Sequence, residues 1–182
     1  MAHDLHLSES RRSDWVVSHQ LLDLHTRRPR EFVDVTEAVI DHVRSSGVID
    51  GLLTVQTLHT TTGIVINEHE PLLLEDLTEA LHRWAPQSAT YRHDDLRIRR
   101  VNLTPDEPAN GHAHAQALLL RTSESLAVVD GDLRLGRWQR IFLAELDGPR
   151  QRNLSVTVMG VGASPRGARR LQAVAAAAGA LR

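Results

Sequence analysis

Apolar and polar positions alternate along this chain with two different periods, and the change from one to the other marks the elements. From Asp14 to Leu24, Trp15, Val17, His19 and Leu21 fall on one side of a period-of-two pattern, which predicts a first strand. Phe32–Asp34 reads as a short strand before a helix with Thr36 as its cap, Val35, Val39, Ile40 and Val43 as its apolar face, and Gly47 as its stop. Leu52–Leu58 and Ile64–Asn67 are strands separated by His59 and a Thr60-Thr61-Thr62-Gly63 break. Pro71–Trp84 then switches to helical spacing through Leu73, Leu77, Ala80, Leu81 and Trp84, opened by a proline suited to a first turn.

The second half begins with a long polar and basic excursion, Gln87 to Pro108, expected to hold one short strand around Leu96–Leu103. Asn110 is placed to cap a helix from Gly111 to Leu120 in which Leu118 is expected to be buried. Strands are predicted at Ser125–Val129, Leu133–Leu135, Gln139–Leu146 and Asn153–Gly160, with Asp130-Gly131 as a hairpin signal and Asp147-Gly148-Pro149 as a turn. Ile141–Leu146 is almost continuously apolar, as in a strand covered on both faces, and Glu145 is its single ionisable residue. A lone buried carboxylate is costly, so Glu145 requires a cation, a metal ion or a set of donors. Arg137, Arg140 and Arg150 flank it, and alternation puts Arg137 and Gln139 on its face, where anion binding is plausible.

Length changes this picture little: 182 residues suit one domain, assigned to 14–160 between a flexible leader, 1–13, and an Ala/Arg-rich tail, 161–182. A net charge of -2 and few aromatics argue against nucleic acid as a partner. No apolar run is long enough for a membrane span and the chain starts without a signal core, so a cytoplasmic protein with no membrane partner is expected. The absence of cysteine excludes disulfides and thiolate chemistry. All 21 basic residues are arginine, which excludes Schiff-base chemistry and leaves guanidinium forks suited to carboxylate or phosphate.

Eleven histidines raise the question of which of them meet. His59 stands where a strand releases the chain into a hydroxyl-rich loop, and a turn-bound ring and a functional ring fit that position equally. His112 and His114 form a His-x-His pair, but on a helix they point about 200° apart, so one of them, His114, is favoured for a site. His93-Asp94-Asp95 fits a proton shuttle or a cation site, and a solvated charged loop accounts for it more simply.

Four motifs in fixed order give the chain a resemblance. His59-Thr60-Thr61-Thr62-Gly63 with Ile66-Asn67-Glu68, then Tyr91-Arg92-His93-Asp94-Asp95, then Asn110-Gly111-His112-Ala113-His114, then Leu135-Gly136-Arg137-Trp138-Gln139 through Glu145 to Asp147-Gly148-Pro149-Arg150, together resemble the YjbQ-like family, associated with secondary thiamine-phosphate synthase activity. The resemblance implies an α+β fold, a packed β sandwich with flanking helices, assembled as a homotrimer with sites near subunit boundaries. It implies that His59, His93, His114 and Glu145 gather as catalytic residues, with Asn67 and Gln139 as neighbours on the substrate; Arg137, on the face shared with Glu145, is expected to join them there. The implied reaction joins a pyrimidine pyrophosphate to a thiazole phosphate and releases pyrophosphate. Arg137 and Gln116 depart from the family pattern, which often has threonine and a basic residue there.

His59, His114 and Glu145 would form a reasonable set of ligands for a divalent metal, zinc or magnesium, with an open position for a phosphate oxygen. A metal-dependent phosphate-ester hydrolase and a noncatalytic ligand-binding homotrimer are the competing readings.

Overall fold

The computed structural model describes residues 14–162. The expected leader, and all of the expected tail beyond Gly162, lie outside the described residues. Five strands, β1 (Trp15–His25), β8 (Gln151–Gly162), β3 (Val48–Thr57), β5 (Ser123–Val129) and β6 (Asp132–Leu133), form one antiparallel sheet in that spatial order. A second antiparallel sheet has β7 (Gln139–Glu145) between β2 (Glu31–Asp34) and β4 (Thr62–Glu68). The fold is therefore mixed α+β, a sandwich with helices on one side.

Alternation decides which residues meet between the sheets. Leu53 and Val55 of β3, Ile64 of β4, Ile141 and Leu143 of β7, and Leu154, Val156 and Val158 of β8 make one core, closed at one end by Val39 and Val43 of helix α1 (Thr36–Ser46). The opposite face of the small sheet carries Phe142 and Ala144. It is covered by helices α2 (Pro71–Trp84) and α3 (Gly111–Ala117), with Ala113, Leu146, Leu81 and Leu120 packing there. With sheet on one side and helices on the other, β7 is buried from Ile141 to Glu145, which explains its unbroken apolar run.

Local chemistry accounts for the termini. Gly47 ends α1 in the left-handed conformation (φ 75°), and Asp130 and Gly131 turn the β5–β6 hairpin with φ of 55° and 81°. The Glu70 carboxylate accepts the N–H groups of Leu72 and Leu73, capping α2 ahead of Pro71. Asp34 accepts the Thr36 N–H and takes His69 Nδ1 and Arg140 Nε at 2.8 and 2.9 Å. Its carboxyl sits at a pKa of about 2; partial burial opposes this, and the bonds to Thr36, Arg140 and His69 outweigh it.

Three local expectations need correction. Thr36 does not cap α1: its hydroxyl accepts the Ile141 N–H, tying the helix to β7 instead. No strand forms at Leu96–Leu103. There the arginines bond nearby carbonyls (Arg99 to Asn102, Arg100 to Leu96), Asp95 holds Arg97, and the backbone pairs with no neighbouring strand. Helix α3 stops at Ala117, and Leu118 is 80 % exposed rather than buried, because a tight turn through Leu119 and Leu120 delivers Leu120 to the core side.

Candidate functional site

The site is built where the end of β7, the start of β8, α3 and the Arg92–Asp94 turn converge. Glu145 is the last residue of β7 and points between the two sheets, as does Arg152 from β8. The guanidinium grips the carboxylate through Nε to Oε2 and an Nη2 to Oε1, both at 2.6 Å. Oε1 also accepts the N–H groups of Leu146, Asp147 and Gly148 at 3.0, 2.9 and 2.7 Å, and Oε2 accepts the Thr26 hydroxyl. Burial alone would raise this pKa, but the Arg152 fork and the backbone N–H groups of Gly148 and Asp147 outweigh it and hold the carboxyl below the usual range. Gly148 is required for this wrap: a Cβ there would lie 2.8 Å from the Glu145 carboxyl carbon and from the Thr26 hydroxyl.

Glu145 thus has the partner that its burial demands, and it is Arg152 rather than Arg137, Arg140 or Arg150. This also decides the proposed metal set. Six donors crowd the two carboxylate oxygens, so no lone pair is left for an ion. His59 Nε2 accepts the Asn153 backbone N–H at 2.8 Å, which occupies its lone pair and leaves the ring proton on Nδ1. His59, His114 and Glu145 therefore do not fit a shared metal, and among the described residues no group of three or more His, Asp or Glu side chains is arranged to hold one.

A different cluster does assemble. The Asp94 carboxylate accepts the Gly111 N–H at 2.8 Å and pins the Arg92–Asp94 turn to the start of α3. That brings the rings of His93 and His114 to a centroid separation of 4.6 Å, tilted by 60°. His93 Nε2 is buried without a hydrogen-bond partner. Beside the pair, Asp147 Oδ2 accepts Asn110 Nδ2 at 2.8 Å and Arg150 Nη2 at 2.9 Å. Asn110 thus spends its side chain on the site and not on capping α3.

The Asp147–Arg150 pair joins the two halves of the corner electrostatically. Burial lowers the His114 pKa, with the His93 ring acting the same way and Asp147 opposing. Burial lowers His112 too, against Asp147 and Asp94. His59 is lowered by burial and then by Arg152 and Arg150, with Glu145 opposing. All three shifts favour the neutral imidazole, and a neutral ring carries one N–H and one lone pair, the latter already taken by the Asn153 N–H in His59.

Asn67, Arg137 and Gln139 lie elsewhere. Gln139 is six residues before Glu145 on β7, so the extended chain carries it about 20 Å away. Its Oε1 accepts the Gly136 N–H, Asn67 Oδ1 accepts the Glu68 N–H, and Arg137 lies 4.5 Å over the exposed Trp138 ring. Within one chain these three do not meet the histidines. Sequence reasoning missed Arg152, Asp147 and Thr26. The signal for Arg152 was its register: it falls on the same face as Leu154, Val156 and Val158, where an arginine needs an acid.

No helix among the described residues is long and apolar enough to cross a membrane. The family model described as UPF0047 protein YjbQ-like matches residues 20–161. A UPF0047 protein of Archaeoglobus fulgidus is 41 % identical over 138 residues, 76 % of this chain and 98 % of that one. One from Methanothermobacter thermautotrophicus is 39 % identical over 141 residues, 78 % of this chain and 91 % of that one. The crystal structure of a YbjQ-like protein of unknown function from Sulfolobus solfataricus superimposes with a TM-score of 0.72 at 34 % identity, covering 80 % of this chain and 99 % of the other. From the ordered motifs, the two-sheet fold and these matches, the chain belongs to the UPF0047 family of YjbQ-like proteins.

Proposed function

We propose that this protein is an enzyme acting on a phosphorylated small molecule at the His93–His114 corner, and that its reaction is the thiamine-phosphate synthesis which the resemblance implies. The observation that supports this most is the close pair of imidazoles beside an Asp147–Arg150 ion pair whose arginine side chain is 42 % exposed. In the reaction, the bond between the pyrimidine methylene carbon and the pyrophosphate oxygen breaks and the oxygen keeps the electron pair. The thiazole nitrogen supplies the pair for the new C–N bond. A neutral His114 or His93 donates an N–H to the departing oxygen, and Arg150 faces its charge. Glu145 does no chemistry in this scheme. It fixes the β7–β8 turn that carries Asp147 and Arg150, through the three N–H groups it holds.

The test is to supply both thiamine precursors to the purified protein and follow pyrophosphate release. Steady turnover is expected, with simple phosphate monoesters left intact. Tight binding of the precursors with no release would instead establish the noncatalytic reading, and hydrolysis of the monoesters would establish the hydrolase.

The assembly proposed with this activity is a homotrimer whose contact is the outer face of the five-stranded sheet. That face exposes Trp15, Val17, Leu52, Met159 and Val161 in adjoining register, a contiguous apolar patch of the kind that marks contact surfaces. The same face runs to Asn153, whose backbone N–H holds His59, so the subunit boundary would lie beside the site. Sedimentation should give three times the chain mass for the native protein, and Trp15→Glu should reduce it to that of one chain.

A further inference from the structure

The excursion between α2 and α3, residues 87–108, gives the proposed reaction only His93, yet it frames a cavity of about 480 Å³. Its walls are Arg92, His93, Ile98, Arg99, Val101 and Asn102. That volume lies within the roughly 300–1,000 Å³ of small-molecule sites. His93 is at once a wall of this cavity and half of the imidazole pair, so a molecule lying against the pair has the cavity open beside it. The Arg99 wall stands near the other ring as well: after burial, His93 and Asp147, the charges of Arg99 and Glu107 are what act on His114.

The excursion is held in shape by its own side chains. Arg99 pairs with Glu107 at 2.6 Å, and Glu107 also accepts the Thr104 N–H and hydroxyl. Arg99 Nη1 donates to the His93 carbonyl at 3.5 Å and Nη2 to the Asn102 carbonyl at 2.7 Å. Asn102 makes the turn there with a φ of 53°, a conformation that asparagine tolerates. These bonds leave two kinds of wall unused. Ile98 and Val101 are branched aliphatics, 52 % and 70 % exposed. Arg92 is exposed and, among the described residues, in no ion pair, whereas Arg97 and Arg99 each hold a carboxylate. Apolar side chains around one uncompensated guanidinium suit a ligand that is apolar along its body and anionic at one end.

We propose that this cavity selects the substrate that attacks, and that this substrate is a compact ring carrying one anionic substituent. The ring lies against Ile98 and Val101, the anion lies on Arg92, and the reacting edge meets the imidazoles. The anion on Arg92 is separate from the group that departs beside Arg150. Ile98, Val101 and Arg92 therefore determine specificity and take no part in breaking bonds. This rests on the reading of the corner as an enzyme site and adds the residues that choose what enters it.

The experiment is calorimetric titration of the full chain with phenylphosphonate and with orthophosphate at low salt. Phenylphosphonate joins a ring to a single anion through a bond that phosphoester chemistry does not break. The native protein should bind it about tenfold or more tightly than orthophosphate, because only the ring has apolar surface to bury. Arg92→Gln should weaken phenylphosphonate by about tenfold, the loss of a charge-assisted contact. Ile98→Asn with Val101→Asn should bring phenylphosphonate down to the affinity of orthophosphate and change orthophosphate by about twofold or less, with an unchanged melting temperature, since both side chains are exposed. Arg97→Gln, outside the cavity walls and paired with Asp95, should bind both anions as the native chain does. Equal native affinity for the two anions, unaltered phenylphosphonate affinity in either cavity variant, or the same loss in Arg97→Gln would overturn the proposal. A smaller sedimenting mass for Ile98→Asn with Val101→Asn, at unchanged phenylphosphonate affinity, would assign those side chains to a contact with a second copy instead. If the thiamine precursors do not turn over while phenylphosphonate binds as described, the synthase reading fails and this one stands; turnover with an unchanged KM in both cavity variants sinks this one alone.

Discussion

Glu145→Ala will lower the free energy of unfolding by about 3–5 kcal/mol, enough to leave a typical domain marginal or unfolded at 37 °C. The variant strands the Arg152 guanidinium, whose side chain is 4 % exposed, and removes the acceptor of the Asp147 and Gly148 N–H groups, while the Leu146 N–H keeps the Thr61 carbonyl at 3.2 Å. An uncompensated buried charge and orphaned backbone donors add to each other. Glu145→Gln should lose somewhat less, because its carbonyl still accepts at one position. Replacing both partners together, Glu145→Leu with Arg152→Met, should recover most of the Arg152 penalty while the N–H groups stay unsatisfied. Denaturant unfolding of the four proteins checks this. A single Glu145→Ala variant as stable as the native chain would show that the ion pair does not hold the sandwich together at this end.

The second large effect is on turnover. His114→Ala should lower kcat by about 10²–10⁴, the range for a positioned acid or base, and change stability much less than Glu145→Ala. His93→Ala should fall in the same range. Their pH behaviour is a sharper check than the magnitude. The folded state holds His114 below the ordinary imidazole value of 6.5, so it stays neutral on cooling the pH to that point, and activity should decline only below it. Stability follows the same sign. His59, His112 and His114 all bind protons more weakly in the folded than in the unfolded chain. The unfolded state therefore takes up more protons as the pH falls below 6.5, and the native state loses stability there. Asp34 and Glu145, both depressed, contribute further loss only below the usual carboxylate range. Acid titration of the melting temperature should show a first decline beginning near pH 6.5 and a second, steeper one below about pH 4.

Several of these features were legible in the residues. The unbroken apolar run at Ile141–Leu146 required cover on both faces, and the sandwich and helix layer supply it. Pro71–Trp84 was bounded to the residue because a proline and a terminal Pro86 punctuate a clean helical period. That Glu145 needed a partner followed from burial alone. Which partner did not, because the pleat fixes a side chain's face but not which residue of the other sheet stands opposite. The same limit misplaced Arg137 and Gln139: parity correctly put Gln139 on Glu145's face, yet distance along the strand separates them. The His93–His114 pair was hardest to foresee. It depends on one side-chain to backbone bond, Asp94 to Gly111, between segments with no shared periodicity.

The strand order carries a consequence for how the chain is made. The last strand, β8, lies between β1 and β3, pairing along Trp15–His25 on one side and Val48–Thr57 on the other. Until β8 has been synthesised, the first strand has no hydrogen-bonding neighbour in its sheet, and Arg152, near the start of β8, is not present to neutralise Glu145. Such long-range closure makes folding slow and places it after translation of the domain is complete. During that interval the apolar face of β1 stands open to other nascent chains.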